Sequence, residues 1–112
     1  MIDIVYEKKD GVRTLHLAVS GHAGQAEHGK DLVCAAASIL VYTLAQNLMR
    51  DRAGGLYAEV DVSLFYGTAN ISCTAATAEE YERAKGIFSV ILAGMELLAE
   101  NTPQYVKLTR YL

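Results

Sequence analysis

Apolar residues recur along this chain at two spacings, every second residue in some stretches and every third or fourth in others, and the switches between them mark seven elements. Residues 2–7 form a short β-type run, and Lys8, Lys9, Asp10 and Gly11 follow with a hairpin turn's composition. Over residues 12–20, Leu15, Leu17 and Val19 alternate with Thr14, His16 and Ala18. Period two predicts a strand with one face in the core and His16 on the other, as a surface or cross-strand histidine. A glycine-flanked loop comes next, then a helix over residues 32–50 with Asp31 as its N-cap. Its apolar positions, Ala35, Ala36, Ile39, Leu40, Val41, Leu44 and Leu48, run round much of the circumference. Such a helix is expected to be buried on more than one side, which in a chain this short points to a second copy.

Residues 51–55, Asp-Arg-Ala-Gly-Gly, are expected to end that helix with charge and glycine. Residues 57–65 alternate again, with Val60, Val62 and Leu64 on one side and Glu59, Asp61 and Ser63 on the other. Tyr66, Gly67 and Thr68 can turn, and residues 69–74 return with Ile71 and Cys73 inward. A second helix is expected from near Thr77, where Thr77 and Glu80 have capping-box spacing, to about Glu100. It carries Tyr81, Ala84, Phe88, Ile91, Met95 and Leu98 at helical spacing until Asn101, Thr102 and Pro103 stop it. Residues 104–112 read as a last strand with Val106 and Leu108 on one face. The order is ββαββαβ, and an α+β domain with a mostly antiparallel sheet and two helices packed on it buries these faces.

Composition narrows the classes. With 112 residues, 52% hydrophobic and 21% charged, the chain is expected to be one globular domain over residues 1–112. No repeat, linker or low-complexity tract interrupts it. A net charge of -3 argues against nucleic acid as the main ligand, since phosphate binding needs a basic footprint. Two cysteines are not a disulfide framework. The first residues carry acids where a secretory signal would carry bases, and the longest apolar run, residues 32–45, is broken by Ser38 and Thr43. It is shorter than the roughly 20 residues of a bilayer span. The expectation is a cytoplasmic protein with free thiols and no membrane contact.

Candidate chemistry lies between the second strand and the first helix. His22 sits between Gly21 and Gly24, with Ala23 beside it, and Cys34 falls in the first turn of the helix after Gly29 and Asp31. A helix N-terminus has unpaired N–H groups and the positive end of the dipole, both of which favour a thiolate. The N–H groups of residues 33–35 are candidate donors to an oxyanion, which the sequence does not place. A histidine in reach can take the thiol proton and return it to a leaving group. Cys34 can equally be an ordinary buried cysteine. Cys73, on an inward strand face with no loop or histidine near it, reads as core. Asp31 is explained by capping, and could also orient His22. Ser38 is on the helical face of Cys34 and either bonds near the site or back to the Cys34 carbonyl. His28 has only nearness in favour of a role. Zinc on His22, His28, Cys34 and Cys73 is disfavoured because their spacing lacks the short ligand pairs of such sites. No metal or cofactor is expected.

Gly21-His22-Ala23, followed by Gly29-Lys30-Asp31-Leu32-Val33-Cys34-Ala35-Ala36 with Ser38 two residues on, resembles the signature of the bacterial ribosomal-processing cysteine proteases, the Prp family. The resemblance extends over the whole chain, in length, element order and a last strand led by proline. His28 departs from the pattern, which has an aromatic or apolar residue there. The resemblance implies an endopeptidase that removes the N-terminal extension of a large-subunit ribosomal protein, with Cys34 as nucleophile and His22 as general base and acid. Gly21, Ala23, Gly24, Gly29, Asp31 and Ser38 would support the site or bind substrate. It further implies a homodimer and a loop that moves as substrate enters. Two other classes fit the residues: a non-enzymatic ribosome-associated adaptor that grips a peptide, and a thiol hydrolase or acyl carrier acting on a small molecule.

Overall fold

The computed structural model describes residues 1–24 and 31–112. The chain forms β1 (Ile2–Lys9), a 3₁₀ turn (Asp10–Val12), β2 (Thr14–Gly21), α1 (Leu32–Ala53), β3 (Glu59–Phe65), β4 (Thr68–Thr74), α2 (Ala78–Asn101) and β5 (Val106–Tyr111). The sheet order is β3-β4-β2-β1-β5, antiparallel except where β5 runs parallel to β1. This is the α+β architecture expected from the periodicities.

Every strand turns one parity to the helices. Ile2, Ile4, Tyr6, Leu15, Leu17, Ile71, Cys73 and Val106 are buried on that side against Val41, Leu44, Leu48, Phe88, Ile91 and Met95 of the helices. The opposite face carries His16, whose Nε2 lies 3.2 Å from Asn70 Oδ1 across the β2–β4 pair, the cross-strand role expected of it. Leu64, at the far end of β3, shares the inward parity yet is exposed, beside α1 across an open depression.

The boundaries moved where tertiary partners intervene. β1 runs through Lys8 and Lys9, and the turn is the 3₁₀ segment with Arg13 at φ 50, so β2 begins at Thr14. α1 continues one turn beyond Arg50, because Asp51 faces α2 rather than ending the helix. Arg83 donates to Asp51 twice, from Nε at 2.8 Å and from its terminal nitrogen at 2.9 Å, and the Tyr57 hydroxyl donates at 2.8 Å. Tyr57 itself is buried at φ 68, outside β3, with its N–H donated to Glu80 Oε1 at 3.0 Å. Thr77 Oγ1 accepts from the Glu80 N–H at 3.1 Å, which is half of a capping box. The other half is redirected, since Glu80 accepts from Ala76 and Tyr57 instead of Thr77. β5 starts at Val106 after a turn in which Tyr105 N–H bonds the Thr102 carbonyl.

α1 is long and apolar enough, by length and composition, to cross a membrane. Here it is the core helix, with Val33, Ala37, Val41, Leu44, Ala45 and Leu48 buried. Among the described residues nothing covers its opposite side: Ile39, Tyr42 and Met49 are more than half exposed.

Candidate active site

Three pieces of chain meet at one end of the sheet: the end of β2, the first turns of α1 and the β3–β4 hairpin. Between them lies a cleft of about 630 Å³, whose lining includes Gly21, His22, Gly24, Asp31, Cys34 and Ser38. Six of the eight residues singled out in the sequence therefore line one depression. Ala23 is buried beside it, and Gly29, like His28, lies outside the described residues.

Each piece is held by a specific local arrangement. Gly21 closes β2 at φ 92, opposite Ile2 in the β1–β2 register. A Cβ there would stand 2.2 Å from the Met1 carbonyl oxygen, a fixed backbone atom, so only glycine fits. Gly21 N–H then donates to the Gly67 carbonyl at 2.9 Å, tying the end of β2 to the hairpin turn. Two residues later the Ala23 N–H points at the Cys34 sulfur, 3.4 Å away. His22 is thus pinned on both sides, to the turn and to the thiol. Gly24, at φ 72, turns the backbone away again.

Asp31 is the N-cap of α1, with Oδ1 accepting from the Cys34 N–H at 3.0 Å and its carbonyl accepting from the Ala35 N–H at 3.0 Å. Cys34 is therefore the third helical residue, half-buried, with its sulfur at the positive end of a 22-residue helix. Two of the amides expected to serve an oxyanion, those of Cys34 and Ala35, are already engaged by Asp31. The amide that does meet the Cys34 sulfur is that of Ala23, supplied from just past the end of β2 and not by the helix. Ser38 is exposed in the cleft one turn on, and its hydroxyl makes no described bond to the Cys34 carbonyl.

The β3–β4 hairpin supplies a wall that sequence reasoning missed. Leu64, Phe65, Tyr66, Gly67 and Thr68 line the cleft, and the His22 and Tyr66 rings lie 4.8 Å apart at 38°. In the sequence these residues read only as a strand end and a turn. The one signal was two adjacent aromatic residues placed where turns are usually polar.

Cys73 is the contrast. It is 1% exposed in β4, outside the cleft, and burial pushes its thiol up to about 12, with Asp51 and Glu80 adding to the effect. Among the described residues no three His, Cys, Asp or Glu side chains gather as a metal site would need.

The chain is similar to known proteins in sequence family and in fold. A family model described as cysteine protease Prp matches residues 1–107. The fold is similar to that of the ribosomal processing protease Prp from S. aureus in complex with a covalently linked product peptide, at a TM-score of 0.78 and 21% identity, covering 98% of this chain and 99% of that one. The same S. aureus protease in complex with a substrate peptide superposes at a TM-score of 0.70 with 17% identity, over 98% and 99% of the two chains. SMU.848 from Streptococcus mutans matches at 0.69 with 28% identity, over 99% of this chain and 94% of that one. No curated protein matches the sequence.

Proposed function

The chain belongs to the cysteine protease Prp family, and from that premise we propose that it removes the N-terminal extension of a bacterial large-subunit ribosomal protein, using Cys34 as nucleophile and His22 as general base and acid. The observation that carries this reading is the position of Cys34 at a helix N-terminus, with a loop amide on its sulfur, in the same cleft as His22.

The chemistry follows from those groups. Cys34 Sγ stands at the helix N-terminus and takes the Ala23 N–H, two groups placed where negative charge develops on sulfur as its proton leaves. His22 takes the Cys34 proton, and the sulfur attacks the scissile carbonyl carbon. As the tetrahedral intermediate collapses, the C–N bond breaks and His22 gives the proton to the leaving amine. The product is an acyl-enzyme thioester. Water, with His22 accepting its proton, attacks that thioester and releases the acid and the thiol. Asp31 holds the nucleophile's own backbone by its cap, and Ser38 offers a hydroxyl to bound peptide. The apolar rim of Leu64 and Phe65 suits an aromatic-rich peptide. We further propose a cytoplasmic homodimer, formed through the uncovered face of α1, that contacts neither nucleic acid nor membrane directly.

The test is mass spectrometry of a synthetic peptide bearing the ribosomal protein's N-terminal extension, incubated under reducing conditions with wild-type and Cys34→Ala protein. One cut made only by the wild type is the expected result. An intact peptide with both folded proteins would overturn the peptidase reading in favour of a binding adaptor.

A further inference from the structure

His22 is exposed, and an exposed imidazole on a glycine-flanked loop has several rotamers open to it. Proton transfer needs one of them, held within about half an ångström. The hairpin turn Tyr66–Gly67 has no part in the bond-making steps above, yet it meets His22 from two directions. Tyr66 packs its ring on the imidazole, with centroids 4.8 Å apart and planes 38° apart. Gly67, at φ 77, leaves the space that the other ring edge occupies: a Cβ there would stand 2.9 Å from His22 Nε2 and 3.3 Å from Cε1. The Gly67 carbonyl also accepts the Gly21 N–H at 2.9 Å, so turn and loop are registered through the backbone one residue before His22.

We propose that the β3–β4 turn is the positioning element for His22, with Tyr66 as the ring support and Gly67 as the gap that fixes the rotamer. The inference rests on the reading of His22 as the base. Its chemical content is a specific division of labour. A residue that only contacts substrate changes KM, whereas one that aligns the base changes the chemical step. Gly67 is demanded twice, by its left-handed φ and by the imidazole. The atoms a Cβ would strike are the end of a movable side chain, so Gly67→Ala displaces the histidine rather than the sheet.

Steady-state kinetics on the extension peptide, with Tyr66→Ala, Gly67→Ala and Tyr66→Phe, tests this. Tyr66→Ala and Gly67→Ala are each expected to lower kcat about tenfold or more while KM changes less than about threefold. Tyr66→Phe, which keeps the ring, recovers most of the loss. Unchanged kcat in both variants, or a rise in KM alone, overturns the proposal. Gly67→Ala strains the turn, so Tyr66→Ala, which leaves the backbone free of strain, keeps the test decisive if Gly67→Ala fails to fold. A substrate-free measurement separates this inference from its premise. The NMR shift of the His22 Cε1 proton is displaced by the Tyr66 ring current, moves in Tyr66→Ala and returns in Tyr66→Phe; a shift unchanged in Tyr66→Ala overturns the contact itself. Wild-type protein that cuts no peptide overturns the peptidase reading, and the positioning role with it, while the shift still reports on the contact.

Discussion

The two cysteines show what one residue's surroundings decide. Cys34 is half-buried at a helix N-terminus, and Cys73 is enclosed between strands with its thiol pushed up to about 12 by burial. At neutral pH Cys73 is neutral and out of reach. Native protein treated with iodoacetamide should therefore gain one adduct, on Cys34, and a second only after denaturation. Peptide mapping that finds Cys73 modified in the folded state would contradict this. That contrast was legible in the sequence, because a period-two strand face and a capped helix start are local patterns. The requirement at Gly21 was only half legible. The chain shows a glycine before a histidine, but the atom that forbids any other residue belongs to Met1, brought alongside by strand pairing. Gly21→Ala should cost about 2 kcal/mol or more, from left-handed strain plus a backbone collision. Urea unfolding checks it, and a variant within about 0.5 kcal/mol of wild type would show that the strand end adjusts freely.

At the scale of elements, the helices and strands were predictable and their junctions were not. α1 and α2 announce themselves by spacing and by their caps, Asp31 and Thr77, both of which hold the expected N–H. The segment between α1 and β3 read as charge, glycine and the start of a strand. It is instead a junction in which Asp51, Tyr57, Glu80 and Arg83 satisfy one another, and those partners lie far apart in sequence. Its consequence is a pH dependence. Hydrogen bonds from Arg83, then Tyr57, hold the Asp51 carboxyl below its ordinary value of 3.8, against the opposing effect of burial. The folded state thus binds a proton on Asp51 less readily than the unfolded state does. The stabilisation is fully present above the ordinary value and is lost as pH falls through it toward the lowered one. Arg83 is half exposed, so the contribution is modest. Asp51→Asn should lower stability by about 1–2 kcal/mol at neutral pH, with the gap to wild type closing below about pH 4. Urea midpoints across that range measure it. A gap that stays constant into acid would mean that the carboxylate's charge is not what the junction uses.

For the whole molecule, the open question in the sequence was why one helix is apolar nearly all round. Half of the answer is inside the chain, where α1 covers the sheet. The other half is a stripe of exposed positions, Leu32, Ala35, Ile39, Tyr42, Gln46, Met49 and Ala53, spaced alternately three and four residues apart. That is the spacing by which one helix meets another along a seam. A single turn of such residues would be ordinary surface, but a stripe along the whole of a 22-residue helix leaves a large apolar face in water. The cost of that exposure is removed if two copies lay this face together, and the proposed dimer follows. Because Tyr42 and Ala35 also line the cleft, pairing along α1 would put the second copy close to the peptide site. Sedimentation at micromolar concentration should give twice the 12.2 kDa of the chain. Ile39→Glu combined with Met49→Glu, two positions outside the cleft lining, should shift it to the monomer with the fold retained. Were the doubly substituted protein still dimeric, the seam would have to lie elsewhere, and the exposed Val90 and Leu97 of α2 would be the next face to break.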